Sequence, residues 1–408
     1  MEYIKRDIEP LILDISKSYS AIIITGPRQV GKTTTLKRLL GEGRRFVSLD
    51  DKENKRLAQT DPELFLSLNP APVIIDEVQY APELFPYIKM EIDNGAPAGS
   101  YLMTGSQMYE LMNLAGESLS GRAAILRMSG LSQHEIYGSG DCLPFTLNME
   151  ALQKRADYGK PTDVYGQFDR ILNGSLPAHI SGKYENRSVF YSSYIDSYID
   201  RDIKDMVDLK DEFLFHDFVR AAACRAGQML NMHAIAEDVG VSDETAKLWL
   251  GYIEKSGVIF YLRPFSNNLL HRTIKKTPKL YFFDTGLVAH LTRYSSPEVL
   301  LNGAINGAIL ENYVVSEIMK TYINNGLEFY AHYYHDIDNK EVDLVLESDG
   351  ELHPIEIKKA ASPPPEFVRT FNVLDKASIP RGAGAILCTK QELSAVDRNT
   401  IIVPIWTI

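Results

Sequence analysis

The sequence predicts an α/β protein with three successive parts, and three observations support this prediction. The β-branched run Ile22–Ile24 leads through a glycine-rich loop, Gly26–Thr33, into a segment with helical spacing. Two further apolar runs, Val73–Ile75 and Tyr101–Thr104, have the composition of buried strands, since strands of a parallel sheet are almost continuously apolar. After a helical middle section, strand patterns return near the C-terminal end and predict a second, smaller α/β domain.

Length and composition are those of an ordinary globular protein. The 408 residues are enough for roughly two to four domains. The net charge of −11 argues against polyanion binding by the whole surface, but it is compatible with a local basic patch. The three cysteines, Cys142, Cys224 and Cys388, are far apart, which argues against a zinc module or a disulfide framework. Without a long apolar run or a signal-peptide core, we expect a cytoplasmic protein that does not associate with membranes.

The glycine-rich loop matches the phosphate-binding pattern GxxxxGK[ST] at Gly26, Gly31, Lys32 and Thr33. Between a strand and a helix, backbone N–H groups and the helix N-terminus bind phosphates, so ATP and Mg²⁺ are the predicted cofactors. Lys32 would reach the β- and γ-phosphate oxygens, and the Thr33 hydroxyl would face Mg²⁺. The predicted nucleotide-binding residues are Gly26, Pro27, Arg28, Gln29, Val30, Gly31, Lys32, Thr33, Thr34 and Asp76. The alternative is a plain glycine turn before a helix.

The second strand pattern ends in paired acids. Val73–Ile75 is followed directly by Asp76 and Glu77, which is the Walker B pattern. Asp76 is predicted to hold Mg²⁺ through water, and Glu77 to orient or polarise the attacking water. A strand that ends at a solvated acidic turn is the alternative interpretation.

Two polar positions near the later strands are further catalytic candidates. Ser106, with Gln107 second, follows the third strand and would lie beside the phosphate loop, unless it only forms a Gly-Ser turn. Arg122 follows a helical stretch, Met108–Ser120, and precedes a strand at Ala124–Leu126. It would lie at the subunit edge and reach a neighbour's γ-phosphate in a homo-oligomer. Alternatively, it is a surface arginine that caps a helix C-terminus.

These motifs together resemble a known family. The runs GPRQVGKTT, SLDD, VIIDEVQ, LMTGSQ and LSGRA look like the AAA-type ATPase of a large prokaryotic family. In that family the ATPase is joined to a C-terminal region known only as a domain of unknown function (DUF4143). The resemblance implies a P-loop parallel sheet of the ASCE/AAA type, with Glu77 as the catalytic acid and Ser106 in the sensor position. It covers most of the chain but specifies no biological role.

The middle of the chain is predicted to be helical and to contain a helix-turn-helix. Residues 160–215 are rich in tyrosine and in alternating charges, as in a helical connector with a solvated face. Further on, Gly240 ends one short helix and Ser242 caps the next. Strand patterns at Val258–Leu262 and Leu280–Phe283 predict a β-hairpin, so the whole unit resembles a winged helix.

A local basic region accompanies this unit. Its members are Lys247, Lys255, Arg263, His271, Arg272, Lys275, Lys276 and Lys279. Contact with the phosphates of DNA is one interpretation. The other is a winged helix used for packing or oligomerisation.

The C-terminal strands carry a second chemical pattern. Asp343 lies on one strand, and Glu356 and Lys358 lie two residues apart on the next, so strand alternation can place them on one face. The pattern D…ExK resembles the PD-(D/E)xK nucleases, although no proline precedes Asp343. It implies a restriction-endonuclease-like fold in which an upstream helix supplies Glu311. Glu311, Asp343 and Glu356 would bind Mg²⁺, and Lys358 would position a water or stabilise charge.

Two functions remain open from the sequence. One is an ATP-controlled enzyme that acts on DNA through a winged helix and a Mg²⁺-dependent nuclease-like site. The other is an ATP-dependent regulatory switch or scaffold whose nuclease-like domain does not cut. The predicted parts are an ATPase core over 1–135, a helical connector over 136–212, a winged-helix-like module over 213–295 and a nuclease-like domain over 296–408. The C-terminal carboxylates can also be ordinary strand residues.

Overall fold

The first part of the chain folds around a five-stranded parallel sheet. The computed structural model describes residues 3–106, 116, 118–198, 212–265 and 276–408. The strands are β1 (Ala21–Thr25), β2 (Arg45–Ser48), β3 (Val73–Asp76), β4 (Tyr101–Gly105) and β5 (Ala123–Arg127). Their spatial order is β2-β3-β4-β1-β5. Every residue of β1 and β4 is buried, which confirms that these apolar runs are central strands of a parallel sheet.

Within the described residues, five helices accompany this sheet. They are α1 (Glu9–Ile15), α2 (Lys32–Leu40), α3 (Lys52–Thr60), α4 (Pro62–Leu68) and α5 (Leu84–Asp93). The helix predicted to follow the glycine-rich loop is confirmed as α2. Gln107 and most of the predicted helical stretch Met108–Ser120 lie outside the described residues.

Five further helices lead into the middle of the chain. They are α6 (Gln133–Tyr137), α7 (Met149–Tyr158), α8 (Val164–Asn173), α9 (Pro177–Ile180) and α10 (Arg187–Tyr198). Helix α10 buries Tyr191, Tyr194 and Tyr198, so tyrosines of the predicted solvated connector belong to the core. The charged run at 200–205 lies outside the described residues.

A helix-turn-helix with a small sheet follows. Its elements are α11 (Glu212–Ala223), β6 (Gln228–Met229), α12 (Met232–Val239), α13 (Asp243–Lys255), β7 (Ile259–Leu262) and β8 (Lys279–Phe282). Gly240 ends α12 with a φ of 78°, and the Ser242 side chain accepts a hydrogen bond from Thr245 N at the start of α13. Strands β7 and β8 pair antiparallel, so the predicted helices and hairpin are all present.

The last part contains three helices and a six-stranded mixed sheet. The helices are α14 (Thr285–Leu291), α15 (Pro297–Leu301) and α16 (Asn306–Ile323), and the strands are β9 (Ala331–His335), β10 (Glu341–Ser348), β11 (Glu351–Lys358), β12 (Gly384–Cys388), β13 (Ser394–Asp397) and β14 (Thr400–Pro404). The strand order is β13-β14-β12-β11-β10-β9. The two strands predicted around Asp343 and around Glu356 and Lys358 are confirmed as β10 and β11. A 3₁₀ segment, Pro365–Lys376, lies between β11 and β12.

One hydrophobic cluster runs through all three parts and includes side chains of β1, α10, α13, α16 and β14. Gln133, at the start of α6, is a polar junction within this interior. Its N–H donates to Glu317 Oε2 at 2.7 Å, its Oε1 accepts from Arg170 and Tyr313 at 3.0 Å each, and its Nε2 donates to Ile405 O at 3.1 Å. None of the helices in the described ranges combines the length and apolarity needed to cross a membrane.

Candidate functional site

Two glycines fix the backbone of the phosphate loop, which joins β1 to α2. Gly26 has a φ of 152°, and a Cβ at this position would lie 2.0 Å from the main-chain oxygen of Met128. Gly31 is the N-cap of α2 and has a φ of 98°, a conformation that glycine adopts readily and other residues rarely do. The backbone itself therefore requires both glycines of the motif.

We expect Gly26→Ala to weaken ATP binding by at least about tenfold, because the added methyl group must displace either the Met128 carbonyl or the loop. Titration calorimetry with ATP would measure this effect. Gly43→Ala is the matched control, since Gly43 also has a positive φ of 70° but no atom within 4 Å of its Cβ position. Wild-type affinity in Gly26→Ala would show that the observed loop conformation is not the one that binds phosphate.

Lys32 and its neighbours line the loop. The Lys32 ammonium donates to the carbonyls of Gly26 and Pro27, both at 2.8 Å, and the residue is almost completely buried. Arg28 donates to the Tyr80 hydroxyl at 3.1 Å. A lysine held inside a loop of this shape can exchange its carbonyl partners for phosphate oxygens.

Asp76 is the centre of a hydrogen-bond network at the carboxyl end of β3. Its Oδ1 accepts from the hydroxyl groups of Thr33 at 2.5 Å and Thr104 at 2.6 Å. Its Oδ2 accepts from Ser48 at 3.3 Å. The predicted Mg²⁺ residues, Thr33 and Asp76, are thus in direct contact. Because Mg²⁺ in nucleotide sites uses one or two protein oxygens together with phosphates and waters, this pair fits such an ion, which would neutralise phosphate charge when bound.

Glu77 stands beside Asp76 in an unusual conformation. Its φ of 58° and ψ of 48° lie in the left-handed region. For a residue other than glycine this conformation costs about 1–3 kcal/mol, and such strained residues cluster at active sites. Its Oε2 accepts from Gln79 Nε2 at 2.5 Å and from Ser106 Oγ at 3.2 Å. Gln79 Nε2 also donates to Ser106 at 3.2 Å. Glu77 and Ser106 are therefore brought together, as a water-orienting pair requires.

A cleft of about 1110 Å³ opens over the loop, which is large enough for a nucleoside triphosphate. The predicted residues on its wall are Arg28, Gln29, Val30, Gly31, Lys32, Thr33, Thr34 and Glu77. The facing wall comes from the turn after α9 and from α10, namely Lys183, Tyr184, Glu185, Asn186, Phe190 and Tyr194. Tyr3, Ile4 and Arg6 also line it.

Arg122 lies at the opposite end of the sheet from the phosphate loop. It precedes β5, and the first residue of β5 pairs with Ala21, the first residue of β1. Five residues of strand, about 16 Å, therefore separate it from the loop of its own chain. It forms a half-exposed ion pair with Asp93, the last residue of α5, with 2.5 Å between Nε and Oδ1. The predicted role toward a neighbouring subunit stays a prediction that requires a homo-oligomer.

The C-terminal pattern D…ExK forms a compact cluster on β10 and β11. Asp343 Oδ2 accepts from Lys358 Nζ at 3.0 Å and from Ile357 N at 2.8 Å. Lys358 Nζ also donates to Glu356 Oε2 at 2.5 Å. Burial, with the nearby Asp343 carboxylate, raises the pKa of Glu356 to about 9. The three predicted residues thus share one face, as strand alternation indicated.

The structure corrects the prediction for Lys279, a member of the predicted basic region. It was expected on a surface that contacts DNA, but it is only 3% exposed. Its ammonium lies 2.8 Å from Glu311 Oε1 and 2.7 Å from Glu341 Oε1. The Tyr281 hydroxyl also donates to Glu311, at 2.6 Å. Burial raises the pKa of Glu311 to about 7, Lys279 opposes this shift and Asp343 adds to it.

The predicted C-terminal Mg²⁺ site is not assembled in this arrangement. Glu311 is engaged by Lys279, and Asp343 and Glu356 are engaged by Lys358. Among the described residues, no three His, Cys, Asp or Glu side chains are grouped so that they could hold a metal ion. Since Lys279 and Lys358 occupy carboxylate oxygens that a divalent cation would need as ligands, the cluster does not fit such an ion as it stands.

Sequence reasoning missed three residues of the candidate nucleotide site. Thr104 donates to Asp76, and its hydroxyl accepts from Glu77 N at 3.3 Å. Gln79 bridges Glu77 and Ser106. Arg6 lines the cleft from the N-terminal segment. Thr104 had a detectable signal, because it is a polar residue at the carboxyl end of a strand that neighbours β1.

The strand order, the glycine loop and the acidic end of β3 define a P-loop nucleoside triphosphatase fold. Residues 18–137 match the family model described as an AAA domain. Residues 306–408 match the domain of unknown function DUF4143, and residues 166–298 match another domain of unknown function, DUF8612. The resemblance found in the sequence is therefore confirmed for the AAA domain and the DUF4143 region.

Similar proteins have been found among curated sequences and solved structures. An uncharacterised protein of Mycobacterium tuberculosis is 27% identical over 347 residues, which are 84% of this chain and 71% of that protein. A Walker-type ATPase of Pyrococcus abyssi superposes with a TM-score of 0.45 at 13% identity and covers 71% of this chain and 96% of its own. A RuvB variant from Thermotoga maritima superposes with a TM-score of 0.31 at 15% identity. The superposition covers 62% of this chain and 88% of the RuvB chain.

Proposed function

We propose that this protein is an ATP-hydrolysing switch that binds DNA through its middle part. ATP and Mg²⁺ are the proposed ligands of the cleft over the phosphate loop, with Glu77 as the residue that orients the attacking water. DNA is the proposed partner. The division of the chain into four parts, with boundaries after residues 135, 212 and 295, is also part of this proposal.

The observation that carries the proposal is the close approach of the phosphate loop to the middle part. Gly257 lies in the turn between α13 and β7, and a Cβ at this position would be 3.0 Å from Pro27 Cγ. The neighbouring Ser256 is hydrogen-bonded to the Tyr198 hydroxyl of α10 at 2.7 Å, and α10 forms a wall of the cleft. The phosphate loop therefore approaches the turn after α13 directly, and the cleft wall formed by α10 is hydrogen-bonded to the same turn.

The order of elements supports a winged helix in the middle part. Helix, strand, helix-turn-helix and hairpin follow one another as α11, β6, α12, α13, β7 and β8. The members of the predicted basic region that are exposed within the described ranges are Lys247, Lys255, Arg263 and Lys276. His271, Arg272 and Lys275 lie outside those ranges. An exposed group of lysines and arginines is the feature expected of a DNA-backbone contact.

For the C-terminal part we propose a role that does not involve cleavage. Its restriction-endonuclease-like interpretation rests on the arrangement of Asp343, Glu356 and Lys358. The ion pairs of Lys279 join β8 to α16 and β10, and those of Lys358 lie within the β10–β11 pair. Both favour a structural cluster over one that binds Mg²⁺. Cleavage of DNA at this cluster is the alternative that the experiment below can reveal.

The DNA proposal predicts salt-dependent binding that responds to ATP. We expect the protein to bind duplex DNA, and Lys255→Glu with Lys276→Glu to reduce the slope of log affinity against log salt by about 2, since each phosphate contact contributes about 0.9. Fluorescence anisotropy with a labelled duplex would measure the slope with and without ATP. Lys52→Glu with Arg56→Glu, two exposed cations of α3, is the charge-matched control.

Three outcomes would contradict the parts of this proposal separately. Salt-insensitive binding, or equal slopes in both double variants, would remove the winged-helix contact. Equal DNA affinity with and without ATP would remove the switch. Cleavage of plasmid DNA by the wild type in Mg²⁺ or Mn²⁺, lost in Asp343→Ala, would replace the non-cutting role with a nuclease.

A further inference from the structure

Arg6 is a buried arginine beneath the phosphate loop that belongs to no motif of the sequence. It is 2% exposed, although it lines the cleft. Arg6 precedes α1 in the sequence, and its side chain contacts three separate segments of the first part of the chain. A fully buried guanidinium requires hydrogen-bond acceptors for its N–H donors. Each of the three guanidinium nitrogens of Arg6 has at least one acceptor.

The guanidinium of Arg6 joins the loop to the chain after β5. Its Nη1 donates to Val30 O at 2.7 Å. Its Nη2 donates to Ser129 O at 2.8 Å and to Gly130 O at 3.2 Å. Its Nε donates to Glu135 Oε1 at 3.0 Å. Of these acceptors, Val30 belongs to the phosphate loop, immediately before the glycine that caps α2.

Glu135 holds the arginine in turn. Its Oε1 accepts from Asp7 N at 2.7 Å and its Oε2 from Ser132 N at 2.7 Å, so its orientation is fixed by main-chain donors. Burial raises the pKa of Glu135, and Arg6 opposes that shift. The pair is therefore a buried, hydrogen-bonded ion pair that spans from the N-terminal segment to α6.

The contact with Val30 sets the direction of the next N–H group. The peptide between Val30 and Gly31 is planar and trans, so its C=O and N–H point in opposite directions. Because Arg6 fixes the Val30 carbonyl, the Gly31 N–H is turned away from Arg6. The guanidinium lies against the back of this peptide, since a Cβ on Gly31 would be 3.7 Å from Arg6 Nη1. Phosphate binding by such a loop depends on N–H groups that are already directed at the ligand.

We propose that Arg6 is a positioning residue for triphosphate recognition: it holds the Val30–Gly31 peptide so that the Gly31 N–H is presented to the phosphates. Arg6 itself acts through the loop and does not contact the nucleotide. This inference rests on the proposed ATP site. It adds a residue, distant from the motif in sequence, on which the affinity for phosphate depends.

The test compares phosphate affinity in variants of two buried arginines. Arg6→Ala and Arg6→Lys are measured beside Arg155→Lys, because Arg155 is equally buried and donates to the main-chain oxygens of Leu143 and Thr407 without contacting the loop. All are made in a Glu77→Gln background and titrated with ATP and with inorganic triphosphate below their melting temperatures. We expect Arg6→Ala to weaken both ligands by about tenfold or more, Arg6→Lys to weaken them less, and Arg155→Lys to bind as its parent does.

Each result decides one statement. If the parent protein does not bind ATP, the proposed ATP site is wrong, whatever Arg6 does. If the parent binds and the Arg6 variants bind equally well, the positioning role is wrong. The role also fails if only ATP is affected while triphosphate is not, because Arg6 would then act at the nucleoside end. Should Arg6→Ala not fold, Arg6→Lys and the isosteric Glu135→Gln, which removes the charge that orients Arg6, give the same comparison.

Discussion

Glu77→Gln is expected to bind ATP with wild-type affinity and to hydrolyse it at least about 100-fold more slowly, the usual effect of losing a catalytic base. Glutamine has the size of glutamate and can keep a hydrogen bond with Gln79 or Ser106, so the loop and the Asp76 network stay intact. It cannot accept a proton from water. The affinity is measured by calorimetry and the turnover by release of inorganic phosphate.

Glu83→Gln is a suitable control for Glu77→Gln, because Glu83 is an exposed carboxylate of the same part of the chain. It should leave both affinity and turnover unchanged. Normal turnover in Glu77→Gln would contradict the assignment of Glu77. Loss of both affinity and turnover would show instead that the carboxylate supports the fold of the site, as its strained conformation also allows.

Lys279→Met is expected to lower the free energy of unfolding by about 3 kcal/mol, because it leaves the buried Glu311 without its cation. Glu341 is 40% exposed in its side chain and adds little, since water screens it. Urea denaturation followed by circular dichroism would measure the change. Lys276→Met, at an exposed position on the same segment, should change stability by less than about 0.5 kcal/mol.

A second substitution distinguishes the ion pair from simple packing. Glu311→Gln removes the charge that Lys279→Met leaves uncompensated, and a glutamine can still accept from Tyr281. The double variant should therefore recover most of the lost stability, a coupling that a double-mutant cycle reports directly. If the two losses simply add, Lys279 stabilises the protein through its aliphatic stem and not through Glu311.

Local sequence patterns predicted the candidate nucleotide site. They did not predict contacts between residues that are far apart in the sequence. Strand, glycine loop and α2 follow one another in sequence, so spacing alone located Lys32, Thr33, Asp76 and Glu77. The role proposed for Arg6 depends on a carbonyl 24 residues away, and no motif in the neighbouring sequence marks this arginine. Such contacts are fixed by tertiary packing, for which one sequence carries no periodic signal.

Lys279 was misinterpreted for a related reason. It follows a run of cations between two strand patterns, and a charge in such a run is usually solvated. Its burial arises because α16 supplies Glu311 and β10 supplies Glu341, and both are more than 30 residues further along the chain. The same distance hid the pairing of Lys279 with Glu311, one of the predicted Mg²⁺ ligands.

The junction at Gln133 has a consequence for motion between the parts of the protein. A single side chain bonds at once to α8 through Arg170, to α16 through Tyr313, and to the segment after β14 through Ile405. These bonds cannot be lengthened gradually, because a hydrogen bond weakens steeply outside its narrow geometry. Displacement of any one partner therefore strains the others, and rearrangement around this residue should proceed between discrete positions and not as a continuous bending.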